Sequence, residues 1–259
     1  MLKPHSRTST ATLSPLKYRD FRVAILLFIA LISLLASQRV AAKTSISQAP
    51  FAEAIGYMQQ QQAVNFAQAK QAYEEEEYAY AFRLMKVLAK NGQYQAQYYL
   101  ATMYDTGLAG ERDEYKAYRW YKKAAMAGMS SAQHNLAVAY ARGLGVKADL
   151  EQAIQWWKLA AKQGHTDSQF NLGIVYATGG KGLIAPDMRK AQKWWHMAAV
   201  NGDAAAQFNL GALYANGLVG QGSGCEAVFW LQRSEENGFK QAHIALSQIE
   251  HSAKFSKCK

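Results

Sequence analysis

The chain has 259 residues, 50% of them apolar and 19% charged. That is enough to bury a sizeable core and too apolar for intrinsic disorder. Only four prolines interrupt it, and its Ala, Gln, Lys, Leu and Tyr content favours helix. The formal charge of +10 suggests an anionic partner until its distribution is followed along the chain.

Residues 1–42 read as a signal peptide or an N-terminal membrane anchor. Lys3, Arg7, Lys17, Arg19 and Arg22 precede the uncharged run VAILLFIALISLLAS from Val23 to Ser37. Val40-Ala41-Ala42 then offers the small or branched side chains that a signal peptidase reads. The run is shorter than the roughly 20 residues that span a bilayer comfortably, which favours cleavage over retention. A cleaved signal makes the chain periplasmic or secreted; an uncleaved one anchors it to the inner membrane, facing outward. Without this segment 23 Lys and Arg stand against 18 Asp and Glu, a net of +5. Spread over a long surface, that charge is no argument for nucleic acid. No nucleic-acid partner is expected, and membrane contact only through the N-terminal segment if it is retained.

Residues 43–60 form a leader. Residues 61–94 are predicted to be a divergent capping helix pair, with Ala81, Leu84, Met85, Leu88 and Gly92 in a register that recurs downstream. The run Glu74–Glu77 between its helices reads as a solvated turn. From residue 95 one unit is written four times, over 95–131, 132–167, 168–205 and 206–240. Gln97, Gln133, Gln169 and Gln207 open the copies at spacings of 36, 36 and 38. Leu100, Leu136, Leu172 and Leu210 follow, then Tyr104, Tyr140, Tyr176 and Tyr214. The second half of each unit repeats Trp120, Trp156, Trp194 and Trp230, and Gly128, Gly164, Gly202 or Gly238 closes it.

Within a unit the spacing is helical. Leu136 and Tyr140 share one face of a first helix, helix A. Ala153, Trp156, Trp157, Ala160 and Ala161 follow the stripe of a second, helix B. Asp113, Asp149, Asp187 and Ser223 stand where helix B needs an N-cap. The closing glycines stand where its end needs a left-handed residue. A helix pair of this kind cannot bury its own apolar stripe, so the pairs are expected to stack into an all-α, right-handed α-solenoid. The recurrent Leu, Tyr and Trp residues are its packing. Residues 241–259 provide a C-terminal capping helix, from about 241 to 254, and a tail. That helix runs back antiparallel to the last helix B and returns Cys258 towards Cys225, so a disulfide between them is expected in an oxidising compartment.

The stretch AQFNLGALYANG (Ala206 to Gly217) and the pattern A-x-x-W-W-x-x-A-A-x-x-G (Ala153 to Gly164) resemble the Sel-one-like repeat family, relatives of the tetratricopeptide repeats. The resemblance covers roughly residues 65–250. It implies an interaction scaffold, often periplasmic, secreted or membrane-associated, in which helix A lines the concave face. On that face Tyr98, Tyr99, His134, Asn135, Asn171 and Asn209 are the binding candidates. The asparagines have a competing use in hydrogen bonds between repeats, which is the first expectation for them.

Other chemistry is weakly represented. The turn YATGGKG (Tyr176 to Gly182) has the glycines and lysine of a phosphate cradle. A helix precedes it, though, and glycine rather than Ser or Thr follows the lysine, so it reads as the A-to-B turn of the third unit. His134, His165, His196, His243 and His251 form no metal-ligand spacing, and no metal or cofactor is expected. There is no G-x-S-x-G nucleophile motif, and no catalytic residue is assigned. A cysteine-rich branch of the family is linked to β-lactam hydrolysis, but its members carry a cysteine pair in each repeat and this chain has two cysteines in all. The expected function is therefore a monomeric, non-enzymatic scaffold that binds a protein or peptide on its concave face. A β-lactamase-like envelope hydrolase and a glycan or peptidoglycan module are the alternatives.

Overall fold

The computed structural model describes residues 65–108, 110–219 and 224–250. The N-terminal segment, the leader, Ser223 and Cys258 lie outside them. Within them the first helix, α1, covers 65–74 and pairs with α2 (Tyr78–Lys90). Four A–B pairs follow: α3 (Tyr94–Thr106) with α4 (Glu114–Met126), and α5 (Ser130–Arg142) with α6 (Leu150–Lys162). Then come α7 (Thr166–Thr178) with α8 (Met188–Val200), and α9 (Ala204–Ala215) with α10 (Gly224–Glu236). A final helix, α11 (Lys240–Glu250), packs on α10 and α9. Among the described residues there is no strand, and each helix packs on the next in the chain. This is the expected solenoid.

Helix B starts by one device in three repeats. The Asp113, Asp149 and Asp187 carboxylates accept the backbone N–H of Lys116, Gln152 and Lys190 at 2.8–2.9 Å. Their own N–H groups donate to the carbonyls of Tyr104, Tyr140 and Tyr176, closing the A-to-B turn. The cap therefore fixes the angle between the two helices as well as the start of the second. At the other end the closing glycine holds φ between 83° and 95° in every repeat, a left-handed conformation that side chains resist.

Small residues bring the helices together. Leu100, Leu136, Leu172 and Leu210 are completely buried, as are Ala124, Ala160 and Ala198 on the facing helices. The sequence register singles out Trp120, Trp156 and Trp194, yet these are only half-buried. The deeper position is the next residue along: Tyr121, Trp157, Trp195 and Leu231 are each less than a tenth exposed. A Cβ on Gly173 would collide with the Trp195 indole, so glycine there admits the ring against the backbone of α7. The recurrent tyrosines join successive repeats. The Tyr118 and Tyr140 hydroxyls lie 3.0 Å apart, and the Gln192 side-chain amide donates to the Tyr214 hydroxyl at 2.9 Å.

The opening glutamines have a larger task than marking the register. Each is buried at the start of helix A and donates its side-chain N–H to a carbonyl at the end of the preceding helix B. The acceptors are Ala89 for Gln97, Ala125 for Gln133, Ala161 for Gln169 and Ala199 for Gln207. The amide oxygen then accepts from the end of the following helix B: Gln163 for Gln133, Asn201 for Gln169 and Asn237 for Gln207. One buried amide thus ties together the ends of two successive B helices. In the first repeat the matching residue is Ala127, which has no amide to give.

Replacing Ala127 with Asn supplies the missing donor, at a helix C-cap whose φ of −78° equals that of Asn201. A net hydrogen bond is worth about 0.5–1.5 kcal/mol, so Ala127→Asn should raise the thermal midpoint by about 2–5 °C. Differential scanning calorimetry of the two proteins checks this; a midpoint that stays put or falls removes the bridging role.

Candidate functional site: the A-helix face

The four A helices are poor in charge. Together α3, α5, α7 and α9 carry one basic residue, Arg142, and two acidic ones, Asp105 and Asp167. Their partly exposed face repeats with the unit. Asn135, Asn171 and Asn209 occupy one row, and Val138, Ile174 and Ala212 a second row one turn further on. All six are partly accessible. The rows leave a neutral strip of amide groups beside small or aliphatic side chains.

Asn171 and Asn209 do not make the hydrogen bonds between repeats that the sequence led us to expect of them; Gln163, Asn201 and Asn237 link these repeats instead. Asn135 approaches the hydroxyls of Tyr98 and Tyr121 in the preceding repeat. Among the described residues, the Asn171 and Asn209 side chains make no hydrogen bond. Each keeps two donors and one acceptor for something else.

Tyr98 and Tyr99 differ from the asparagines. Both are half-buried and edge-packed: Tyr99 against Phe66 and Tyr73 of the capping helix, Tyr98 against Tyr99 and Tyr121. Burial raises the Tyr98 phenol above its usual range. These rings close the N-terminal end of the strip more than they line it. Between the first and second repeats a cleft lined by Asp105, Tyr118, Tyr121 and Asn135 has a volume of about 40 Å³. That is far below the roughly 300 Å³ at which small-molecule pockets begin. Arg112 reaches both Asp105 and Glu114, at 3.6 and 2.9 Å, and so neutralises the carboxylates on its border.

His134 and His165, scattered in sequence, are brought face to face. Their rings stack with centroids 4.6 Å apart and planes 17° from parallel. Both Nδ1 atoms converge on the buried Ser168 hydroxyl, His134 at 2.9 Å and His165 at 3.3 Å. His165 also caps α7, its Nδ1 accepting the Ser168 backbone N–H at 3.4 Å. Burial is the main cause that pushes the His134 imidazole down to about 4, with the neighbouring His165 second; burial likewise lowers His165. The separation of 31 residues matches no period within a helix, so sequence spacing gives no sign of this pair. Ser168 is fully buried, which removes it as a nucleophile. Among the described residues no three His, Cys, Asp or Glu side chains come together as a metal site.

The glycine turn is structural. Gly179 ends α7 in a left-handed conformation, and a Cβ on Gly180 would collide with Leu150 of the preceding repeat. Lys181, at φ 61°, stands exposed on the two-residue extension. Cys225 lies exposed at the start of α10, and Cys258 is outside the described residues.

Comparison with known proteins identifies the repeat. The Sel1 repeat profile matches residues 95–129, 130–165, 166–203 and 204–239. A Sel1 repeat protein from Oxalobacter formigenes is 28% identical, with a TM-score of 0.66 over 73% of this chain and 77% of its own. The c5321 protein, a protective antigen present in uropathogenic Escherichia coli strains and displaying an SLR fold, is also 28% identical, with a TM-score of 0.64. The match covers 72% of this chain but only 44% of that one. No curated protein matches.

The histidine pair makes stability depend on pH. Its folded-state affinity for protons is depressed, so the unfolded chain binds more protons between the ordinary histidine value and about pH 4. Stability is therefore lost as pH falls through that window. Phenylalanine occupies the register position of His134 in the next two repeats, at Phe170 and Phe208. His134→Phe should flatten the decline in thermal midpoint between pH 6.5 and 4.5. Parallel curves for the two proteins over that range would rule out the assignment.

Proposed function

The chain belongs to the Sel1 repeat family, and from that membership we propose that it is an exported scaffold that holds an extended stretch of polypeptide along its A helices and catalyses no reaction. The observation that carries this reading is the asparagine row. Asn171 and Asn209 present uncommitted amides at equivalent positions of successive repeats, on a strip with almost no charge. A peptide backbone offers a donor and an acceptor at every residue, the complement of a primary amide. Val138, Ile174 and Ala212 beside the row supply apolar contact for side chains of mixed type. The near absence of charge suits recognition of backbone and shape over recognition of an ion.

A photo-crosslinking residue placed at Asn171 in cells should yield a protein adduct, whereas the same residue at Lys193, on the opposite helix row, should not give that adduct. Asn135→Ala, Asn171→Ala and Asn209→Ala combined should weaken recovery of the crosslinked partner by at least about tenfold, three lost polar contacts at about 0.5–1.5 kcal/mol each. Adduct formation that is equal at both sites, or untouched by the triple change, sinks the proposal.

Export rests on the basic and apolar character of residues 1–42, and the proposed Cys225–Cys258 bond belongs to the same reading. From Lys240, α11 packs on α10, the helix that begins beside Cys225. Closing that loop adds about 3–4 kcal/mol in the chain-entropy account. Thiol titration of the denatured, unreduced protein should find no free sulfhydryl; two would eliminate the bond.

A further inference from the structure

The modest net charge conceals a segregated surface. The B helices α2, α4, α6 and α8 together carry twelve Lys and Arg residues and two carboxylates, Glu114 and Glu151. The four A helices α3, α5, α7 and α9 carry one basic residue, Arg142. The cations recur with the unit: Arg83, Arg119 and Lys193 share one register, and Lys86, Lys122 and Lys158 the next turn of the same face. None of these six makes an ion pair among the described residues. Lys116 and Lys190, by contrast, are held by the N-cap aspartates of their own helices. Several of the unpaired cations lie over aromatic rings one turn away, as Arg119 does over Tyr115 and Lys122 over Tyr118. That packing supports their stems and leaves the charge outward.

Large apolar side chains stand among these cations. On the B helices Val87 is 58% exposed, Met126 72%, Leu159 44% and Val200 64%. The basic field ends at both extremities, at the glutamates 74–77 before α2 and at Glu226, Glu235 and Glu236 on α10. An unpaired basic field studded with aliphatic groups is complementary to a surface that is anionic at its boundary and apolar just beneath. We propose that the outward face of α2, α4, α6 and α8 docks on an anionic phospholipid bilayer. A nucleic acid matches the charge, but it gives no burial to Val87, Met126, Leu159 or Val200. The docked protein would turn its B helices to the lipid and leave the A-helix strip free.

The test compares the full chain with its Arg83→Glu, Arg119→Glu, Lys122→Glu and Lys193→Glu variant on vesicles of phosphatidylcholine with and without phosphatidylglycerol. Residues 1–42 are common to both proteins, so the difference between them reads the B-helix face alone. Phosphatidylglycerol should tighten binding of the parent chain. In the variant that gain should shrink by about tenfold or more, since each basic residue near an anionic surface contributes several-fold. Salt should suppress the gain in the parent as well. Should the variant lose its helical circular dichroism, Leu159→Ser with Val200→Ser probes the same face: weaker vesicle binding supports docking, and unchanged binding overturns it. An equal phosphatidylglycerol gain in parent and charge variant overturns it too. So does duplex DNA that binds the parent more tightly than vesicles and displaces them, which would assign the face to nucleic acid.

Discussion

A buried primary amide needs partners for its N–H and its carbonyl oxygen without help from water, and in this solenoid that demand joins one repeat to the next. Gln133, Gln169 and Gln207 can meet it only when the helix before and the helix after are both in place. The orientation of the B helices, the close approach allowed by Ala160 and Ala198, and the seating of Trp157 and Trp195 all presuppose that alignment. Dispersion and apolar burial supply most of the stabilisation, but they are indifferent to small rotations. The amide is not, because leaving it unpaired costs about 1–3 kcal/mol.

The alternation of helices gives the molecule two unlike sides. One is nearly uncharged and carries amides at a fixed register; the other is basic and interspersed with aliphatic groups. Both follow from the same repeat, because a position that recurs every 36 to 38 residues becomes a row once the units stack. Core positions recur because packing requires it. The outward rows are free to vary, and their chemistry is where such a scaffold acquires a particular partner.

Much of this was legible in the order of residues. Leu136 and Tyr140, the N-cap aspartates and the closing glycines mark helix, turn and repeat through local rules that tertiary context leaves intact. Four features were not legible, each for a physical reason. Adjacent tryptophans at 156 and 157 lie 100° apart on a helix, and the apolar pattern does not tell which points inward. The donors to the glutamine oxygens vary as Gln163, Asn201 and Asn237, with Ala127 in their place in the first repeat, so that half of the bridge leaves no repeated letter. His134 and His165 meet through the stacking of whole repeats, a distance that no motif encodes. Charge is the plainest case: a net of +5 averages a neutral side with a basic one and describes neither.

The vacancy at Ala127 also bears on how the array comes apart. Buried apolar residues form a continuous cluster from Ala137 to Trp230, while the capping pair and the first repeat hold smaller clusters of their own. A linear assembly with unequal joints does not melt as one body; it opens where the joint is weakest. Here that is the seam where the Gln97 side chain is tied to Ala89 alone and Ala127 offers its amide oxygen no side-chain donor, so thermal fraying runs inward from the N-terminal side. The stretch from α6 through α9, with Asn171 and Asn209, is the last to lose its shape.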